Sequence, residues 1–590
     1  MVERAGGGTS LDQLRAGVRA ERLRADLEWF ATVRRDEGGD GEARACRYIV
    51  DQLTAAGVPA TVHEFDAFLS YPREASVRVT DAEPEVWRAV THAFATSTGA
   101  DGVRAPLQPV DGDDFASARG RIALVHGLAT PVTILRASRA GCAGLIFANE
   151  DTVIHNMIGT TIWGTPGLDD LDRLPQLPVV SVNRESGARL VERLASSPEV
   201  LVRVDARVET GWYRSQLPEV RIPGRGPGDL FLLVGGHYCA WDVGITDNAT
   251  GDACLIELAR LLWPARGSLG RSVRICWWPG HSHGRYSGST WYADTFFREL
   301  ASSALAYYNI DSPGVKGATR YHCRNTSAEL EAYCRRVIAD VTSQADPPVS
   351  RPARAADQSF LASGVPSFSA YPFLPDDHPD RRPWTGGSAS AWWWHTEFDT
   401  LDKADVTILA TDVQVALTAI WHMTNDDLLP FDYRRTVREL TDIVTPLATA
   451  VGGHLDLQSV LQAAAVVSRQ LEDFEAARPR VTGDEEETGT WNTAALRLGR
   501  LLNPIMFTRG GRFQHDPAEW SPMLRATRRY TLPALARADL LPSLAGSFEY
   551  GFLRTQLVRE VNRLVATLEA TSALLEDALR ALPPSSPILP

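Results

Sequence analysis

The sequence predicts an α/β protein: a mostly parallel sheet with helices on both faces, an inserted β-rich unit and a C-terminal helical unit. Three observations carry this prediction. Between residues 216 and 428, short apolar runs bounded by glycine alternate with helix-period segments, the pattern of buried parallel strands joined by helical crossovers. Between residues 101 and 215, short apolar runs alternate with helix-like stretches, the pattern of a separate inserted unit. From residue 429 to 590 the apolar positions recur at helical spacing over long stretches.

At 590 residues the chain has room for several domains, with 44% hydrophobic and 23% charged residues as in ordinary globular proteins. A net charge of −13 offers no basic field for polyanions, so nucleic acid is excluded as the expected partner. The start, MVERAGGGTSLDQLRAGVRAERLRADLEWF, is charged every few residues and has no apolar run of signal-peptide length. No run of about 18 consecutive apolar residues occurs either, so a cytoplasmic protein without a membrane partner is expected. The seven cysteines are odd in number and lack CxxC spacing, which argues for buried thiols over a disulfide framework or zinc knuckle.

In chain order, residues 1–100 open the α/β unit. Two helices are expected on either side of Gly38-Gly39-Asp40-Gly41, followed by strands at 60–65 and 75–79. The inserted unit, 101–215, has strands at 121–125, 144–148 and 178–182, a segment ending at Gly141 and a helix at 185–194. Strands at 231–236, 273–278 and 307–310 and a helix at 254–262 follow. Helices are expected at 435–447, 457–474, 493–502 and 556–582. The acidic stretch Gly483 to Glu487 reads as a solvated loop, and the tail Pro583 to Pro587 as disordered.

Four polar residues stand just past apolar runs: His237, Asp247, Asp311 and His395. Imidazole nitrogens and carboxylate oxygens are the donors that borderline divalent ions such as Zn2+ accept, and a carboxylate such as Asp247 can bridge two ions. In a parallel sheet, loops beyond the carboxyl ends of the strands are where such groups collect.

The segments Gly235 to Trp241, Asp247-Asn248-Ala249-Thr250-Gly251 and Leu255 to Arg260 resemble the first-ligand and bridging-ligand region of the M28 family of co-catalytic zinc peptidases. Asn309-Ile310-Asp311 resembles its next ligand and His395-Thr396-Glu397-Phe398-Asp399-Thr400-Leu401 its last histidine motif. Leu429-Pro430-Phe431-Asp432 and Ile505-Met506-Phe507 resemble the helical dimerisation domain of the branch that holds glutamate carboxypeptidase and the transferrin receptor. The 101–215 unit resembles a protease-associated lid. The resemblance implies a zinc-peptidase-type catalytic domain at 216–428, one or two Zn2+ or other divalent ions, a peptide or small-molecule substrate, and a homodimer formed through residues 429–590.

Two departures stand out. Where the family has an aspartate two residues after the first histidine, this chain has Cys239. Where the family has adjacent glutamates, one a general base and one a metal ligand, it has Pro279-Gly280-His281-Ser282-His283-Gly284. Ungapped alignment from Arg271 puts His281 at the base position and Ser282 at the ligand position; anchoring on Gly288-Ser289-Thr290 shifts these to Ser282 and His283. Imidazole serves as base or as ligand. His281 is therefore the candidate catalytic residue and, with His283, a candidate metal ligand.

The paired arginines by which glutamate-specific relatives grip an acidic side chain are absent from Gly364 to Pro372. Trp392, Trp393 and Trp394 precede His395, and at most two can face a site if the segment is extended. Trp394, Arg285 and Tyr286 are the candidate substrate contacts. The expected function is hydrolysis of an amide bond in a peptide or small acylated amine by metal-activated water. The alternatives are a non-catalytic binding protein on the same scaffold, or another metal-dependent reaction such as a lyase.

Overall fold

A computed structural model describes residues 9–80, 84–112, 114–197, 199–226, 228–478, 484–519 and 531–582. At its centre, strands Ser367–Phe373, Ala304–Asn309, Phe231–His237 and Ser272–Trp278 lie side by side and parallel. Antiparallel strands flank this core: Arg320–Arg324 on one side, and the end of Leu201–Ile222 on the other. Parallel pairing is thus confined to the centre of this part of the sheet, a narrower extent than the expected mostly parallel sheet.

The strands Thr61–Val79 and Leu201–Ile222 pair with each other from Thr61↔Glu219 to Val79↔Val202, with a register shift at Pro72/Glu74. The two short strands expected at 60–65 and 75–79 are therefore one long strand. This ribbon joins the four-stranded parallel core to the inserted unit, so both lie in one continuous sheet. Val77, Val79, Trp87 and Ala89 belong to the insert's hydrophobic core together with Leu107, Ile146 and Val202, so the insert begins inside that strand and before residue 101.

The insert is itself α/β. Val103–Pro109, Ile122–His126, Gly144–Ala148 and Val179–Val182 are parallel neighbours; helix Pro131–Ala140 supplies the crossover from the second to the third, and helix Arg184–Ser196 leads from the fourth into the antiparallel strand Leu201–Ile222. Gly141 ends the first of these helices at φ 80°, a conformation a glycine adopts without steric cost.

Helices cover both faces of the parallel core. Trp277 and Trp278 show the division: adjacent on one strand, they point to opposite faces and are buried in separate cores. Helix Val406–Asn425 is long and apolar enough to cross a membrane by composition, and its apolar face is buried in the larger core through Leu409, Val413, Ala416 and Ile420. The helices Tyr433–Val451, Gln458–Ala477, Glu485–Phe507 and Phe548–Ala581 join that same core. The acidic residues Glu485, Glu486 and Glu487 form the first turn of a helix capped by Asp484, not the expected loop. Carboxylates there meet the positive end of the helix dipole. Gly483 and the tail Pro583 to Pro587 lie outside the described residues. All seven cysteines are buried and unpaired.

Candidate active site

Parallel register sets the site. Trp278 is level with His237, and Asn309 with Gly235, so the loops leaving these strands open on one edge of the sheet. At the glycines the strands approach too closely for a side chain: a Cβ on Gly236 would stand 2.2 Å from the Ile310 carbonyl. That approach brings Asp311 to His237.

His237, Asp247 and Asp311 offer ligand atoms that all lie within 4.8 Å of one another. His237 Nε2 is 3.0 Å from Asp247 Oδ1 and 3.7 Å from Asp311 Oδ1. The other oxygen of Asp247, Oδ2, is 3.4 Å from His395 Nε2. One carboxylate therefore stands between two imidazoles with an oxygen toward each, as a bridging ligand must.

Each ligand is held from behind. The Nδ1 of His237 donates to the Cys239 carbonyl at 2.9 Å, so the backbone takes the orienting role that the family gives to an aspartate at this position. The Nδ1 of His395 donates to the Asn156 carbonyl at 2.8 Å, and the Asn156 N–H donates back to the His395 carbonyl at 2.9 Å. The insert thus sets the orientation of a candidate ligand. Asp399 accepts hydrogen bonds from the Thr246 and Asp247 N–H groups and from the Thr246 hydroxyl. Burial, reinforced by the charge of Asp247, pushes Asp399 up to about 7 against those bonds. The Asn248 amide donates to the carbonyls of His237 and Ile310 at 3.1 Å and accepts from Ser312 N–H at 2.8 Å, tying three ligand loops together. The Asp247–Asn248 peptide is cis.

Burial by itself raises a carboxyl and lowers an imidazole; here the mutual contacts outweigh it. Asp247 is held well below the usual carboxylate range and Asp311 below it, while His237 is well above the usual imidazole range. His237 Nε2 is nevertheless buried without a hydrogen-bond partner among the described residues. An orphaned imidazole nitrogen facing two carboxylates is the donor set of a divalent cation, which takes the proton's place and favours the neutral imidazole.

The altered loop divides its histidines. His281 stacks on His237 with ring centroids 3.8 Å apart, and its Nδ1 lies 2.7 Å from Asp357 Oδ2. Asp357 Oδ1 accepts from the Ser289 hydroxyl at 2.8 Å. His281 lines the central cavity and leaves Nε2 as its remaining donor or acceptor. His283 is turned elsewhere: its Nδ1 pairs with Glu37, and its ring packs by Trp241 and Tyr71 at 4.2 and 5.5 Å. The N–H groups of Ser282 and His283 both donate to Glu37 Oε1. The expectation that His283 joins the metal cluster is corrected on this ground: Glu37, buried and held at about 2 by His283 against the opposing effect of burial, draws the imidazole away.

The cavity has a volume of about 870 Å3 and is lined by Asp247, Asp311, His281, His395, Trp394, Arg285 and Tyr286 among others. Trp394 stacks on His395 with centroids 3.8 Å apart. Trp393 points into a separate core, its indole N–H on the Thr246 hydroxyl at 3.1 Å, so of the three tryptophans Trp394 lines the cavity. Asp357, Glu37 and Asn156 were not among the sequence candidates. Asp357 lies 76 residues from His281 and Glu37 lies 246 residues from His283, with no spacing that marks them as partners.

The fold and the ligand cluster define a mixed α/β protein built like the M28 aminopeptidases. Residues 220–420 match the model of peptidase family M28. A probable glutamate carboxypeptidase of Zea mays is 24% identical over 536 residues, covering 73% of this chain and 70% of that protein. A probable glutamate carboxypeptidase of Arabidopsis thaliana is 22% identical over 480 residues, covering 65% of each chain. Transferrin receptor protein 1 of Gallus gallus is 23% identical over 252 residues, covering 35% of this chain and 32% of that one. Among solved structures, the aminopeptidase from Aneurinibacillus sp. strain AM-1 superposes with a TM-score of 0.56 at 18% identity, covering 70% of this chain and 96% of that one. An M28 peptidase precursor from Shewanella amazonensis gives 0.57 at 17% identity, covering 71% and 97%. The chain carries a peptidase family M28 domain, and its homologues are glutamate carboxypeptidase-like and transferrin receptor proteins.

Proposed function

We propose that the protein is a metal-dependent hydrolase cleaving an amide bond in a peptide or small acylated amine, with His281 as its general base. The observation that carries this reading is Asp247, placed with one oxygen toward His237 and the other toward His395. His237, Asp247, Asp311 and His395 would hold one or two Zn2+ ions; a solved structure from Bacillus subtilis with the same fold is titled a zinc aminopeptidase. When bound, such an ion acts as a Lewis acid toward the carbonyl and makes water a stronger nucleophile near neutral pH.

The chain's own residues do the rest. His281 takes the proton of the attacking water at Nε2, while Asp357 holds the imidazole in the tautomer that leaves this nitrogen free and then stabilises the charged ring. His281 returns the proton to the departing amine nitrogen. Trp394, Arg285 and Tyr286 line the space in which the substrate is oriented. Water adds across the amide, giving one acid and one amine.

The purified protein, loaded with Zn2+, tests this on mixed dipeptides and N-acyl amino acids with mass-spectrometric detection of products. Cleavage that disappears on chelation and returns with the metal supports the reading. Bound metal without cleavage of any amide would favour the non-catalytic alternative; elimination products without added water would favour a lyase.

The same reading includes a homodimer formed through the C-terminal helices. Leu429, Phe431, Met506 and Phe507, which carry the resemblance to a dimerisation domain, are buried within their own chain. Phe548 and Phe552 are exposed, with ring centroids 5.0 Å apart at the start of the last long helix, and they are the residues we assign to the interface.

A further inference from the structure

Arg285 lies on the loop after strand Ser272–Trp278 and is 4% exposed, yet it lines the cavity that also holds Asp247, Asp311 and His281. Its Nε and Nη2 are buried without a hydrogen-bond partner among the described residues. These two nitrogens form the side-on edge of the guanidinium, the fork that matches both oxygens of a carboxylate. No described carboxylate forms an ion pair with it. Residues 520–530, which lie outside the described residues, contain no Asp or Glu that would supply one. The nearest compensation is the ring of Tyr286, whose centroid is 5.2 Å from the guanidinium carbon.

Of the other arginines that line the cavity, Arg335, Arg351 and Arg435 all reach Glu331, at 3.4, 2.8 and 3.6 Å, Arg324 donates to the Tyr371 hydroxyl and the Gly386 carbonyl, and Arg438 is exposed to solvent. Arg285 is also fixed in place. Its carbonyl accepts from the Gly164 N–H of the insert, and the next carbonyl, that of Tyr286, accepts from the Thr290 hydroxyl at 2.8 Å. A buried cation with no counter-ion among the described residues is costly, and burial accordingly lowers its proton affinity. A rigid loop that pays this cost beside a ligand cluster is organised for an anion that arrives with the substrate.

We propose that Arg285 is the counter-ion for a carboxylate on the substrate, received side-on by Nε and Nη2 while the scissile carbonyl faces the cluster of His237, Asp247 and Asp311. The inference rests on reading the cavity as the substrate chamber and adds the substrate class: amides that carry a free carboxylate.

The test is binding of N-acetylglycine and of its neutral counterpart N-acetylglycinamide to the full-length, chelator-treated protein, so that a carboxylate is not scored for reaching a metal. Titration calorimetry is expected to show the acid binding the wild type roughly 10- to 100-fold more tightly than the amide. Arg285→Met is expected to erase that preference and Arg285→Lys to retain part of it. Without ligand, Arg285→Met is expected to melt at or above the wild-type temperature, because it removes an uncompensated buried charge. A wild type without acid preference, or an Arg285→Met variant that keeps it, would overturn the proposal. So would a variant that melts several degrees lower or fails to fold, since the guanidinium would then be a structural donor. The readout needs no turnover: an Arg285-dependent preference in a protein that cleaves no amide would defeat the hydrolase reading, and with it the substrate class, and leave Arg285 as the carboxylate-binding residue of the cavity.

Discussion

The imidazole of His281 is anchored at Nδ1 by Asp357 at 2.7 Å and lies flat against the ring of His237, 3.8 Å between centroids. An imidazole held by a buried carboxylate on one nitrogen and facing a cavity with the other is poised for proton transfer. Aligned from Arg271, this is the position of the general-base glutamate in the M28 pattern.

His281→Ala is accordingly expected to lower turnover by roughly 10²- to 10⁴-fold, the usual contribution of a general base, with bound metal unchanged. Asp357→Asn is expected to lower kcat with little change in KM, because the amide favours the wrong tautomer. Metal analysis alongside the kinetics decides the role: a His281→Ala protein that loses metal would make His281 a ligand, and one with full turnover would remove it from the mechanism.

Asp247 has both oxygens engaged, so Asp247→Asn is expected to cut bound Zn2+ more severely than His395→Ala, which touches one side of the bridge. Elemental analysis after equilibration with limiting Zn2+ reads this directly. Zinc at about 100 times its dissociation constant is expected to stabilise the wild type by about 2.7 kcal/mol in thermal unfolding, and Asp247→Asn by much less. Equal stabilisation of both would place the metal elsewhere.

A pH effect is expected at a carboxyl outside the ligand cluster. Glu42 is buried in the first turn of helix Asp40–Ala55, where burial, with the charge of Glu37 added, pushes its carboxyl up to about 8. Its folded value lies above the unfolded one, about 4.3. The folded state therefore holds a proton that the unfolded chain releases, and the stability this contributes is lost as pH rises toward 8. Urea unfolding at pH 5, 6.5 and 8 is expected to show the wild type losing up to about 1.4 kcal/mol per pH unit more than Glu42→Gln. Parallel stability curves would mean that Glu42 is ionised in the folded state.

For the dimer, light scattering at micromolar concentration is expected to give twice the chain mass. Replacing both exposed rings, Phe548→Ser with Phe552→Ser, is expected to yield a folded monomer, because neither side chain is packed in the core. A wild-type monomer would end the dimer reading, and a double variant that stays dimeric would move the interface away from this helix start.

The sequence by itself marked the central strands at 231–236, 273–278 and 307–310, the helical character of the C-terminal part and the candidate cluster His237, Asp247, Asp311 and His395. A buried parallel strand must be continuously apolar, and a polar residue just past its carboxyl end must face the loop edge. Local composition is enough to show both. The one-residue ambiguity over His281, Ser282 and His283 was of another kind, because loop residues have no periodicity to orient them. Tertiary structure decided it through two carboxylates distant in sequence: Asp357 takes His281 beside the cluster, and Glu37 takes His283 and the neighbouring N–H groups away from it. The long ribbon from Thr61 to Val79 was likewise settled by its partner, since pairing with Leu201–Ile222 carries the strand through Pro72 where alternation alone breaks off. Asn156 became visible as the support of His395 once the insert was seen packed over the site. Periodicity reports which face of an element is buried; it holds no information about which distant charge a buried imidazole will meet, and that choice is made when the elements pack.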